Sequence, residues 1–145
     1  MNVMTYSGPV EIITIGVQPG EMLLESIRAA CREHDIRNGA VISGIGTFKT
    51  CQMHYIKDTE FPPTDVFYKL DKPLELVAVS GIIADYEPHL HIAVGCGEEQ
   101  AWCGHLEPES EVIYLAEIAI LKCNGLRMTR KKDEKRGVML LSPGE

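Results

Sequence analysis

The sequence predicts an α+β fold: an antiparallel or mixed β-sheet flanked by one or two helices, in a single compact domain spanning residues 1–145. Strand-like runs rich in β-branched residues outnumber helical patterns by about eight to two. Most connections between those runs are shorter than the dozen or so residues that a parallel crossover needs. With 145 residues, 45% of them hydrophobic, the chain can bury a core without cross-links.

The elements follow in order. Val10 to Val17 is β-branched and partly alternating, and reads as a first strand that Pro19-Gly20 stops. Glu21 to about His34 reads as a helix, with Leu23, Ile27, Ala30 and Cys31 at helical spacing. Its acidic start at Glu21 and its basic end at Arg28 and Arg32 suit the helix dipole. Asn38-Gly39 is expected to close the segment in a left-handed conformation, and His34 to cap the helix or face solvent. Ala40 to Phe48 is a strand entering a glycine turn. Gly44-Ile45-Gly46 is only a fragment of a dinucleotide fingerprint, because no third glycine and no helix follow, so close backbone packing explains it better. The strand resumes from Lys49 to Lys57 and carries His54. A lone histidine on a strand is more often structural than a ligand, and lining a site is its alternative role.

Phe61-Pro62-Pro63-Thr64 marks a loop, Val66 to Leu70 a short strand, Asp71-Lys72-Pro73 a turn, and Leu74 to Ala84 a long apolar strand with a bulge expected at Gly81. Glu111 to Leu121 is apolar on both faces, as a central or interface-covered strand would be. Glu117 stands out within it. A carboxylate in apolar surroundings is costly unless paired, which makes it either a partner for a histidine or metal, or a glutamate bonded to backbone or to an arginine across an interface. Leu126 to Arg130 and Gly137 to Leu141 end the chain as a hairpin.

Composition narrows the function classes. A net charge of −7 disfavours direct DNA binding, which rests on Lys and Arg neutralising phosphates. The basic run from Arg130 to Arg136 is interrupted by Asp133 and Glu134 and reads as a solvated β-turn. Five cysteines without a Cys-x-x-Cys pair argue against a disulfide framework and fit a reducing compartment. No apolar run reaches the roughly 20 residues that cross a bilayer, and the amino terminus lacks a leader pattern. A cytoplasmic, non-membrane protein is expected.

The chemistry concentrates between Pro88 and Leu106, which holds three of the five histidines. His89 and His91 lie two apart on a strand and therefore share a face. A third imidazole from the next strand would complete the set with which zinc keeps one position open. In an antiparallel pair, His105 joins that face only if the connecting loop has an odd number of residues. A three-residue loop at Gly97-Glu98-Glu99, a common hairpin length, would put His105 opposite His91 and Cys103 on the same face.

With these residues in view, nearly the whole chain resembles the plants-and-prokaryotes conserved domain, which plant AT-hook nuclear proteins carry beside their DNA-binding hooks. The resemblance rests on Ile42-Ser43-Gly44-Ile45-Gly46, on Pro73 to Gly81, on His89-Leu90-His91, on Gly104-His105-Leu106 and on the strand bearing Glu117. It implies a homotrimer of α/β subunits on an antiparallel sheet, and zinc held by His89, His91 and His105. Cys103 stands where the family usually has glycine, and is either a pocket thiol or fourth ligand, or an inert packed cysteine. The Arg-Gly-Arg-Pro hook that grips the minor groove does not occur in this sequence.

Three functional readings follow. The first is a stand-alone trimeric zinc protein that binds or acts on a small ligand; no reaction is implied, and whether it is an enzyme stays open. The second is a DNA-associated regulatory protein whose trimer is an interaction platform for other proteins. The third is a structural histidine pocket without metal.

Overall fold

A computed structural model describes residues 1–97 and 100–144. Six strands form one sheet: β1 (Glu11–Val17), β2 (Asn38–Ile56), β3 (Asp65–Ala84), β4 (Glu87–Cys96), β5 (Gln100–Leu106) and β6 (Val112–Lys122), in the spatial order β1-β6-β2-β3-β4-β5. A separate hairpin pairs β7 (Met128–Asp133) with β8 (Val138–Pro143). Every strand pairing among the described residues is antiparallel, which removes the mixed-sheet alternative. Among the described residues one helix, α1 (Leu23–Glu33), accompanies eight strands, so the domain is mostly β rather than evenly α+β. No helix among the described residues is long and apolar enough to cross a bilayer.

The sheet curls until its far edge returns to its centre. β5 pairs with β4 along its length, and its last two residues also pair with β2, Met53 opposite Leu106 and His54 opposite His105. Extra residues bend the long strands that make this possible. Lys72 and Pro73 together oppose Lys49, and Val77 is an extra residue between Leu76 and Ala78. β-Bulges of this kind bend a strand and increase its twist.

The interior of the curl is the core. Phe48, Met53, Leu90, Leu106, Ile118 and Ile120 are almost wholly buried, and α1 closes it with Leu23, Leu24, Ile27 and Cys31. Gly44 lies against this packing, since a Cβ there would come within 2.8 Å of Val79 and Ile118, the close approach expected of it.

Four local expectations are corrected. Asp71-Lys72-Pro73 is no turn: β3 runs through it, and Pro73, which has no N–H to give the ladder, sits in the bulge. The bulge expected at Gly81 falls at Val77 instead; Gly81 is paired on both sides, and its missing Cβ lets the His89 carbonyl approach. The left-handed residue after α1 is Asp35, with φ 51°, while Asn38 begins β2. Asn38 is buried because it serves the terminal segment, donating from Nδ2 to the Leu126 carbonyl at 2.9 Å and accepting from the Met128 N–H at 3.1 Å. Finally, Glu117 is exposed rather than enclosed by apolar neighbours, because on β6 it alternates with the buried Ala116 and Ile118. His34 caps α1 as expected, its backbone N–H bonding to Ala30.

Candidate metal centre

The β3–β4 turn sets the register of the site. Asp85 and Tyr86 both take positive φ, 54° and 67°, the conformation that a two-residue hairpin turn matched to strand twist requires. That turn pairs Ile82 with His89 and Ser80 with His91. Along β4, Leu90, Ile92 and Val94 point into the core, so His89 and His91 project outward. Their rings stack, with centroids 5.5 Å apart and planes 10° from parallel.

β5 brings the third imidazole. His105 pairs with His91, and Cys96 with Gln100, which leaves a three-residue connection from Gly97 to Glu99. Gly97 has φ 65°, and Glu98 and Glu99 lie outside the described residues. The His105 ring meets both others edge-on, at 4.7 Å from His89 and 5.5 Å from His91. One potential ligand atom from each of His89, His91 and His105 lies within 4.8 Å of the other two.

The β2–β5 closure adds two groups. His54 stands 4.5 Å from His105, ring centre to ring centre. Its Nδ1 is hydrogen-bonded to Glu107 Oε1 at 2.6 Å, and its Nε2 lies 3.8 Å from Asp65 Oδ1. The same Glu107 oxygen lies 3.8 Å from His105 Nε2. His54, His105 and Glu107 therefore form a second cluster of potential ligand atoms that shares His105 with the first. Glu107 escapes sequence reading because it lies just past β5 in a polar run, Glu107-Pro108-Glu109, that looks like an ordinary loop.

Electrostatics keep part of this set neutral. Burial, reinforced by the neighbouring His89, His54 and His91 and by Arg28, pushes His105 down to about 4. His89 is lowered as well, by burial first and then by Arg130, His91 and His54. Both are neutral imidazoles at physiological pH, the form that ligates a metal.

The remaining expected site residues fall elsewhere. Cys103 shares the outward face by alternation, yet it opposes Ala93 and belongs to neither ligand cluster. Its carbonyl accepts from the Tyr68 hydroxyl at 3.2 Å. Glu117 lies on β6 between Gly16 and Ile45 and lines a groove with Thr14, Ser43 and Ala119 that contains none of the histidines.

Arg130 is the unforeseen neighbour. From β7 its Nη1 donates to the Glu87 carbonyl at 2.9 Å and its Nη2 to the Ile82 carbonyl at 2.8 Å, which docks the hairpin on the histidine face. The space between them is a cavity of about 390 Å³ lined by Ser80, Ile82, His89, His91, Arg130 and the β8 residues Met139, Leu140 and Leu141.

A curled antiparallel sheet with converging imidazoles on its outer face defines a small β-rich domain with a candidate metal centre. The chain belongs to the Plants and Prokaryotes Conserved (PCC) domain family, whose model matches residues 3–124. A metal-containing protein of Archaeoglobus fulgidus is similar at 25% identity and TM-score 0.82, covering 97% of this chain and 98% of that one. A plant- and prokaryote-conserved protein of Pyrococcus horikoshii is similar at 27% identity and TM-score 0.79, covering 97% and 99%. A Bacteroides thetaiotaomicron protein described as a "putative DNA binding protein" shares the fold at 18% identity and TM-score 0.79, covering 97% and 98%. Among curated proteins, the bifunctional protein GlmU of Synechococcus sp. (strain JA-3-3Ab) is 27% identical over 135 residues, 93% of this chain; the chain spans 21% of that relative's length.

Proposed function

We propose that this protein binds zinc through His89, His91 and His105, and that the bound ion holds or acts on a small ligand. The observation that carries this is the convergence of three imidazole ligand atoms within 4.8 Å on one sheet face. The donor set suits zinc, which takes histidine nitrogen readily and needs no sulfur. Such an ion supplies Lewis acidity to whatever small molecule it contacts. The chain's own contribution is to hold His89 and His105 neutral and to fix His105 between two strands. The metal-containing relative from Archaeoglobus fulgidus supports the same reading.

A homotrimer belongs to this proposal. It is supported by Ile45, Val77, Tyr114 and Leu115, which are exposed apolar residues on β2, β3 and β6. A cytoplasmic location is supported by five cysteines that are all free thiols.

Metal analysis of untagged protein beside His91→Ala tests the metal reading. Stoichiometric zinc in the parent and its loss in the variant are expected. Equal zinc in both would remove His91 from the ligand set, and no zinc in either would leave a structural histidine pocket.

The second reading, a DNA-associated interaction platform, draws on the relative described as DNA-binding and on the exposed apolar residues. A net charge of −7 favours protein contacts over direct DNA contact. A gel shift with random duplex at physiological salt is expected to give no complex at micromolar protein.

A further inference from the structure

The cavity beside the histidines has a chemical character of its own. Its lining contains a guanidinium and imidazoles but no carboxylate, in a chain of net charge −7. Arg130 is held in place by two backbone carbonyls and forms no ion pair among the described residues. The nearby Glu87 carboxylate pairs with Arg28, 2.5 Å from its Nη2, and acts on Arg130 only at longer range. Part of the lining is apolar: Ile82, beside His89 in the sheet, and Met139 and Leu140 of β8 are large hydrophobic side chains 37%, 58% and 42% exposed. A volume of about 390 Å³ is at the small end of ligand pockets, which run from about 300 to 1,000 Å³.

We propose that this cavity binds a small organic carboxylate with an apolar body, its anionic end toward Arg130 and the histidine-held ion and its body against Ile82, Met139 and Leu140. The assignment rests on the metal reading for one of its two cationic contacts, and on the chain alone for the other. A planar carboxylate matches the donor edge of a guanidinium. A neutral molecule would bring no opposite charge to a guanidinium that has only carbonyl partners, and a small inorganic anion would leave the apolar lining wet.

The test is calorimetric titration of zinc-loaded protein with hexanoate, acetate, hexanol and inorganic phosphate, each repeated on Arg130→Gln and Leu140→Ala. Hexanoate is expected to bind, and hexanol to bind at least roughly tenfold more weakly, as loss of a charge-assisted hydrogen bond implies. Arg130→Gln should weaken hexanoate by a similar factor, with bound zinc unchanged. Leu140→Ala, which leaves the docking hydrogen bonds intact, should weaken hexanoate about threefold or more through lost apolar burial, with acetate binding unaltered. Circular dichroism and melting curves confirm that each variant is folded, and if Arg130→Gln is unfolded the Leu140→Ala and hexanol arms decide. Phosphate binding as tightly as hexanoate, equal binding of hexanol, or hexanoate binding indifferent to Leu140 would each overturn the proposal. If the parent takes up no zinc, the metal reading fails separately, and hexanoate binding to the metal-free protein with its dependence on Arg130 still decides this one.

Discussion

His54 and His105 face each other across the seam where β5 returns to β2, their ring centres 4.5 Å apart. His105 also pairs with His91 across β5 and β4, so one imidazole is common to both ligand clusters. If His89, His91 and His105 hold the metal, His54→Ala should lower zinc affinity less than His91→Ala does. Competition with a chromophoric chelator measures both. Equal losses would move the ion toward His54 and Glu107.

Glu107 joins His54 to His105 without joining the three-histidine set. Outer partners of metal-binding histidines typically change affinity by about 10–100-fold. Glu107→Gln is therefore expected to weaken zinc binding toward the lower end of that range while stoichiometry stays unchanged. The same chelator competition reads it, and an unaltered affinity would show that Glu107 serves only the β2–β5 seam.

The depressed pKa of His105 makes a prediction about the metal-free protein. Its folded value is about 4 against an ordinary 6.5, so between those values the unfolded chain binds more protons than the folded one. Stability from this source is complete above pH 6.5 and is lost as pH falls toward about 4. The Tm of the metal-free protein should drop across that interval, and His105→Gln should drop less steeply. Parallel Tm profiles for the two proteins would contradict the assignment.

Gly81 faces the His89 carbonyl so closely that any Cβ there collides with backbone. Gly81→Ala should therefore push β4 away and destabilise the fold by about 3 kcal/mol, in the range of overpacked sites. Zinc binding should fall with it, because β4 carries two of the proposed ligands. Urea denaturation and metal analysis on the same sample test both effects.

Phe48 is fully buried at the heart of the curl. Phe48→Ala should cost about 3–5 kcal/mol through lost burial and the cavity left behind. A urea midpoint close to that of the parent would mean that the core repacks around it.

Much of this molecule was legible in local pattern. The alternation of Leu90, Ile92 and Val94 with His89 and His91 assigned the faces of β4, and loop parity then put His105 opposite His91. The run from Arg130 to Arg136 reads as a turn between strands, and only its last part is one: β7 continues to Asp133, and residues 134–137 make the turn into β8. Less legible were the features that depend on distant segments. Asp71-Lys72-Pro73 has the composition of a turn, but its partner strand β2 runs past it, and a bulge absorbs the proline. Arg130 belongs to a solvated-looking basic run, yet two carbonyls on β3 and β4 hold it over the histidines.

The sequence by itself determined most of the strands, the shared face of His89 and His91, and the loop parity under which His105 joins them, because side-chain alternation and loop length are properties of neighbouring residues. Only the tertiary structure decided that His54 and Glu107 join His105, that Glu117 stands apart, and that Arg130 overlooks the cavity. Those placements follow from how far the bulged sheet curls before β5 meets β2 and from where the last hairpin docks. Curl and docking are sums over the whole chain, and no single stretch of residues encodes them.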